Sequence, residues 1–317
     1  MQSVHQARRG ILVFMVALAA TTFVSIWLRQ RVRWPTLATV AFPMLMTTLL
    51  SYSPAIASLI ARMSLGESIK DVSFRLRGEW TAKAMLIAWV WPVFCGLGTY
   101  GIAWVAGLTR FAWTSVGSDY GTWGPKYLLG LSIAGMPVLH GFAIRLLASL
   151  LFSIPACLQS FGEELGWRGY LLTRLFDAKI PAPIFWNGLI WGLWHIPFFL
   201  AWETGRNLSE RRSVPLFFFV ASTVALAYLL CYLRLRSGSI WPAVLAHASG
   251  NTILKWAFSG FTAASSFWKG ELHLLSTGLP VLIFLLVRPA WIIRYWPQRT
   301  EDGDGSITSS AKISCPS

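Results

Sequence analysis

Two carboxylates, two imidazoles and a carboxamide sit inside or at the ends of apolar stretches of this chain, where an ionisable group is costly and needs a partner or water. Glu163 and Glu164 are adjacent in FGEELGWRGY, His195 lies in IWGLWHIPFFL, and His247 and Asn251 lie in IWPAVLAHASGN. A glutamate beside a histidine can take a proton from water as general base. A second histidine and an amide N–H can donate to the oxygen that turns negative when a peptide carbonyl is attacked. Together these groups suffice for peptide hydrolysis without a metal. Glu163, His195 and His247 are also a suitable ligand set for zinc with an open fourth position. The soluble signature HExxH is absent. The cofactor expectation is therefore none required, or zinc, and the residues leave both routes open.

Helical spacing adds a division of labour. Glu164 and Arg168 stand at i and i+4 with the acid first, the favourable order for an ion pair, while Glu163 points about 100° away from Glu164. One glutamate can thus be tied up in a supporting pair while the other faces a cavity. His247 and Asn251 are also four apart and present imidazole and carboxamide on one helix face. Gly162, Gly166, Gly188, Gly192 and Gly250 flank these positions, and small residues let membrane helices approach closely.

The elements that must position these groups are transmembrane. Of 317 residues, 55% are hydrophobic and only 13% charged, too apolar for a soluble domain of this length. The 18 Trp and 8 Tyr suit bilayer interfaces as well as a bundle interior. The net charge of +14 is spread in short clusters between apolar runs. No continuous basic face is formed, so nucleic acid is not an expected partner, and anionic lipid headgroups and topology signals account for the charge. Cys95, Cys157, Cys231 and Cys315 include no CxxC pair, which argues against a disulfide framework or zinc knuckle. Cys315 is third from the end, one place short of a prenylation signal.

A span needs about 20 apolar residues, which predicts an all-α polytopic bundle of about eight spans near 11–28, 36–61, 84–106, 143–163, 184–201, 214–233, 240–259 and 273–293. The first is read as an uncleaved helix and not a signal peptide. Residues 127–142 carry Gly130, Gly135 and Pro137 and leave open a re-entrant piece, a lateral helix or a ninth span. Arg145 is expected to snorkel to an interface, and 62–83, with Lys70, Arg75, Arg77 and Lys83, to face solvent or headgroups. The chain divides into an N-terminal span and basic turn (1–34), the helical bundle (35–294) and a disordered polar tail (295–317). The Lys/Arg distribution favours the N-terminus, the 62–83 loop and the tail on the cytoplasmic side. At 1.5 Å per residue, His195 lies roughly 15–18 Å and His247 roughly 10–12 Å in from one face, with Glu163 near that face or deeper if its helix runs on toward Leu175.

EELGWRGYLL, WGLWH and SIWPAVLAHASGN resemble, in order and on separate spans, the EExxxR, FxxxH and HxxxN/D motifs of the CAAX protease and bacteriocin-processing family of intramembrane proteases, which includes the type II CAAX prenyl endopeptidases. Stretches 42–63 and 72–80 also look like this family, so the resemblance spans roughly 40–260. It implies that Glu163 works with His195 on the attacking water, that His247 and Asn251 stabilise the oxyanion, and that Glu164 and Arg168 support the first motif. Trp191 stands where the second motif usually has Phe, as a wall of the site that bears on substrate shape.

The expected function is an intramembrane endopeptidase acting near the cytoplasmic face: the eukaryotic branch of the family trims prenylated proteins, no residue here indicates a prenylated partner, and a peptide, pheromone or membrane-protein substrate, or a bacteriocin-immunity role, is equally admissible. Its partners would be the lipid bilayer and a membrane peptide or protein substrate, and its location the plasma (inner) membrane. The alternatives are a non-catalytic membrane immunity or scaffold protein, and a transporter using Glu163, His195 and His247 as a proton or metal path. The transporter lacks the repeated halves and paired broken helices such proteins show.

Overall fold

A computed structural model describes residues 3–31, 48–76, 78–111, 138–197, 216–263, 272 and 274–279. Its helices are α1 (Val4–Arg31), α2 (Ser53–Leu65), α3 (Glu79–Gly96, widening through a π turn at Leu97–Gly101 into Ile102–Val105) and α4 (Val138–Gly166). Helix α4 runs on without a break through a π segment at Trp167–Leu171 to Leu172–Asp177. Then come α5 (Pro183–Trp194), α6 (Leu216–Ser237) and α7 (Trp241–Ser249), the last continuing as a π segment over Gly250–Phe258. One two-residue antiparallel pairing, Arg110–Phe111 with Thr262–Ala263, clips the end of α3 to the end of α7. The fold is an all-α membrane bundle.

Seven helices fall on seven of the eight expected spans, and 274–279 is helical within the eighth. Among the described residues, α1, α3, α4 and α6 are long and apolar enough to cross a bilayer. The rest miss that measure for visible reasons. The described parts of the expected spans 36–61 and 184–201 are short, and α7 carries His247, Asn251 and Lys255. Residues 32–47, 127–137, 198–201 and 280–293, and the tail 295–317, lie outside the described residues, so the 127–142 question and most of the last span do too.

The bundle is apolar outside and polar within. Leu12, Val16, Phe23, Phe94, Val105, Leu151, Leu158 and Phe217 are exposed where lipid would lie, while Glu163, Glu164, Arg168, Arg174, Asn187 and His247 are buried. Helices α4 and α7 form the central pair. Helix α7 also packs on α3 and α6, α4 on α2, α5 on α6, and α1 on α2.

Two small-residue stripes set these approaches. A Cβ on Gly166 would stand 2.4–2.5 Å from Pro54 atoms, backbone included, and one on Gly162 2.8 Å from the Ser51 carbonyl oxygen. These two glycines form a GxxxG stripe that seats α4 on the start of α2. Gly188 and Gly192 do the same for α5 on α6, with Val224 Cα 2.8 Å from a Cβ at Gly188.

The length expected of α4 changes: the span expected to end at 163 continues fourteen residues to Asp177, because its charges are paired inside the bundle and do not stop the helix. Glu163 therefore lies roughly 20 Å from that end of α4, the deeper of the two placements expected. Arg145 is half-buried. Its guanidinium lies against Gly260, with Nε buried.

The loop after α2 is not wholly solvated either. Lys70, Arg75 and Lys83 are exposed as expected. Beneath them Arg174 pairs with Glu67 at 2.8 Å and Asp71 at 3.1 Å, Arg62 pairs with Asp71 at 2.7 Å, and both guanidiniums lie over the Tyr170 ring. This knot fastens the loop to the last turns of α4.

Gly166→Val tests the α2–α4 seat. Pro54 backbone cannot yield as a flexible side chain would, so overpacking is expected to cost about 1–3 kcal/mol or more, read as a lowered melting temperature in detergent. An unchanged melting temperature would show that the two helices are not in this contact.

Candidate functional site

Helices α4, α5 and α7 each deliver part of the site. From α4, Glu163 and Glu164 are both buried and point to different partners. Glu164 Oε1 accepts from Arg168 Nη1 at 2.8 Å and from His247 Nδ1 on α7 at 2.9 Å. Glu164 and Arg168 are fully buried. The i,i+4 pair expected from spacing is therefore present, and its carboxylate also bridges to α7, which spacing alone did not reveal.

Because a carboxylate oxygen only accepts, His247 Nδ1 is the donor in that contact. Nε2 is left as the ring's other nitrogen, and it becomes an N–H donor when the ring is doubly protonated. His195 is anchored differently. Its Nδ1 is 2.9 Å from the Trp191 carbonyl oxygen, which also only accepts, so Nδ1 carries the proton and Nε2 bears the lone pair of the neutral ring.

His195 stands at a one-residue turn that caps α5, half-buried, with Ile196 and Pro197 helical again beyond it. The cause is two residues on: Pro197 lacks an N–H and crowds the carbonyl of Leu193, so the helix tightens at His195, whose N–H bonds Gly192 at 3.2 Å.

Trp191 is the hub of the arrangement. Its indole Nε1–H donates to Glu163 Oε2 at 2.8 Å, its carbonyl holds His195, and its ring lies under the Arg168 guanidinium at 4.2 Å. The same ring meets His247 edge-on with centroids 5.1 Å apart. It is a donor to the glutamate, which a phenylalanine at this position could not be.

Asn251 is half-exposed one turn beyond His247, and its carboxamide makes no hydrogen bond among the described residues. It is the second residue of the π segment of α7, a type of irregularity that recurs at functional sites because it re-aims side chains. Asn187 secures α5 to α4 at the π segment of α4, donating from Nδ2 to the Trp167 carbonyl at 2.9 Å.

Lys255, four residues after Asn251, is a site residue the sequence reading passed over. It lies close enough to Glu163 and to His195 to act electrostatically on both. The cost of a charge in an apolar helix holds for a lysine within 240–259 as it does for acids and histidines, and that is the signal that marks it.

Among the described residues, no three of His, Cys, Asp and Glu are grouped closely enough to hold a metal ion. Glu163, His195 and His247 are therefore not drawn together as a zinc set, and the bonds from Trp191 to Glu163 Oε2 and from His247 Nδ1 to Glu164 leave Glu163 Oε1 and His247 Nε2 untouched. Cys95, Cys157 and Cys231 are free thiols.

Residues 143–253 match the family described as type II CAAX prenyl endopeptidase Rce1-like. Over that stretch the chain is similar to this family. The matched stretch runs from α4 into the π segment of α7 and contains Glu163, Glu164, Arg168, Trp191, His195, His247 and Asn251. The stretches at 42–63 and 72–80 lie outside the match. No curated protein matches the chain. The long apolar helices make the chain an integral membrane protein that is similar, over residues 143–253, to the CAAX-type endopeptidase family.

Trp191→Phe keeps the ring against Arg168 and removes the donor to Glu163. Since a hydrogen bond to a charged group contributes about 1.5–3 kcal/mol, kcat on membrane peptides should fall about tenfold or more with KM little changed. An unaltered kcat would show that the indole does not position Glu163.

Proposed function

We propose that the protein is an intramembrane endopeptidase that hydrolyses a peptide bond of a membrane peptide or protein near the cytoplasmic face of the plasma (inner) membrane. The observation that carries this reading is that Trp191 holds Glu163 and His195 together while Glu164 holds His247 beside them. The Lys/Arg distribution supports the cytoplasmic side.

The Glu163–His195 pair takes a proton from water as the water oxygen attacks the carbonyl carbon. A C–O bond forms, and the carbonyl π electrons move onto oxygen. The Asn251 amide N–H and the Nε2–H of doubly protonated His247 stabilise that oxyanion. When the intermediate collapses, the C–N bond breaks, its electron pair leaves with nitrogen, and the pair returns the proton there, giving an acid and an amine. Arg168 neutralises Glu164 so that the buried carboxylate can keep His247 in place. No step needs a metal.

The test is cleavage of a fluorogenic membrane-peptide library by detergent-purified wild type, Glu163→Gln, His195→Ala and His247→Ala, with metal content determined on the same samples. Losses of about 10²–10⁴-fold are expected for the general-base residues and about 10²–10³-fold for His247, with no stoichiometric metal. Zinc lost together with activity would replace this mechanism by a metalloprotease. Full activity in Glu163→Gln would remove Glu163 from the chemistry.

A further inference from the structure

We infer that Thr22 of α1 is a positioning residue of this site: its hydroxyl holds the Trp194 indole, and the Trp194 ring holds the His195 imidazole in the orientation its chemistry needs. The inference rests on the peptidase reading and extends the working site to a helix that lies outside residues 143–253.

His195 needs support of this kind. Its Nδ1 contact with the Trp191 carbonyl oxygen, at 2.9 Å, fixes one point of the ring. A single hydrogen bond leaves the ring plane free to turn about it, so the direction of Nε2 depends on what packs against the imidazole. The residue also caps α5, where the backbone ladder constrains a side chain less than in mid-helix. Trp194 meets the imidazole edge-on, with centroids 4.7 Å apart and planes at 76°, and Phe219 of α6 meets it with centroids 5.0 Å apart.

Trp194 is in turn held from outside α5. Its Nε1–H donates to Thr22 Oγ1 at 2.8 Å, and its ring packs edge-on against Trp167 of α4 at 5.6 Å. The hydroxyls beside Thr22 behave differently. Thr21 donates to the Ala17 carbonyl at 2.8 Å and Ser25 to the Thr21 carbonyl at 2.8 Å, each returning to the preceding turn of its own helix. Thr22, only 5% exposed, turns its oxygen to α5 instead. An indole N–H without an acceptor is costly inside a membrane bundle, so the bond fixes both partners. Helix α1 is seated on the same part of α4, where Phe14 packs on Trp167 at 5.9 Å and stacks on Tyr170 at 5.4 Å. Trp194 is thus wedged between α1 and α4, with the imidazole against its ring.

The experiment uses full-length protein in detergent and the peptide that wild type cleaves best in the fluorogenic membrane-peptide library. Thr22→Val removes the acceptor at nearly constant shape, Thr22→Ser keeps it, and Trp194→Phe removes the donor. Thr22→Val should lower kcat by about 3–10-fold, the worth of one neutral hydrogen bond, with KM little changed. Thr22→Ser should restore most of the loss. The Thr22→Val, Trp194→Phe double variant should be no slower than the slower single variant, because the bond between them is already absent. Nitrogen-15 histidine NMR reads the ring without any substrate, with the His195 signals assigned by their loss in His195→Gln. Wild type should show the Nδ1–H tautomer alone, and Thr22→Val a mixture of tautomers.

With an active wild type, an unchanged kcat in Thr22→Val would overturn the inference. So would a loss that Thr22→Ser does not recover, since packing and not the hydroxyl would then matter, or losses that add in the double variant. If wild type hydrolyses no peptide, the peptidase reading falls and the NMR spectrum decides. A His195 signal altered in Thr22→Val still upholds the positioning role, and an unaltered one overturns it.

Discussion

One buried carboxylate carries the geometry of this site. Glu164 accepts from Arg168 on its own helix and from His247 on α7, both through Oε1. In a bundle surrounded by lipid, an uncompensated charge is so unfavourable that each of these groups fixes the others. Arg168 neutralises Glu164, Glu164 fixes which nitrogen of His247 faces the site, and Arg168 then lies on the ring of Trp191. Trp191 in turn places Glu163 and His195. The chain of contacts thus links three helices before any substrate is present.

The close helix approaches make those contacts possible. Gly162 and Gly166 bring α4 onto α2, and Gly188 and Gly192 bring α5 onto α6, so that side chains from separate helices reach hydrogen-bonding distance. The outer surface contributes little to this specificity. Its exposed leucines, valines and phenylalanines meet lipid, which is as apolar as they are. Polar contacts inside and small residues between helices therefore decide how the elements pair.

Much of this was legible in the sequence. Apolar runs gave the helices, and the cost of charge in lipid singled out Glu163, Glu164, His195 and His247, while i,i+4 spacing gave the Glu164–Arg168 pair. What was hidden depended on rotation, depth and pairing between helices far apart in sequence. The bond from Glu164 to His247 crosses 83 residues, and no spacing rule reaches that far. The continuation of α4 to Asp177 was obscured because Arg168 and Arg174 look like the end of a span until their buried partners are known. Lys255 was not hidden in that way, since the cost of a charge in an apolar helix marks a lysine as it does acids and histidines. The Trp191 indole bond needed the direction of a side chain, which the residue type made possible but did not fix.

The most direct measurement is a double-mutant cycle on unfolding in bicelles with Glu164→Leu, His247→Leu and the double variant. Arg168 is left without its partner in both Glu164 variants, so that cost cancels and the cross-helix term remains. A coupling energy of about 1.5–3 kcal/mol is expected for a hydrogen bond to a charged group. Additive losses, with a coupling within about 0.5 kcal/mol of zero, would mean that Glu164 does not join α4 to α7 and that the site is held together by something else.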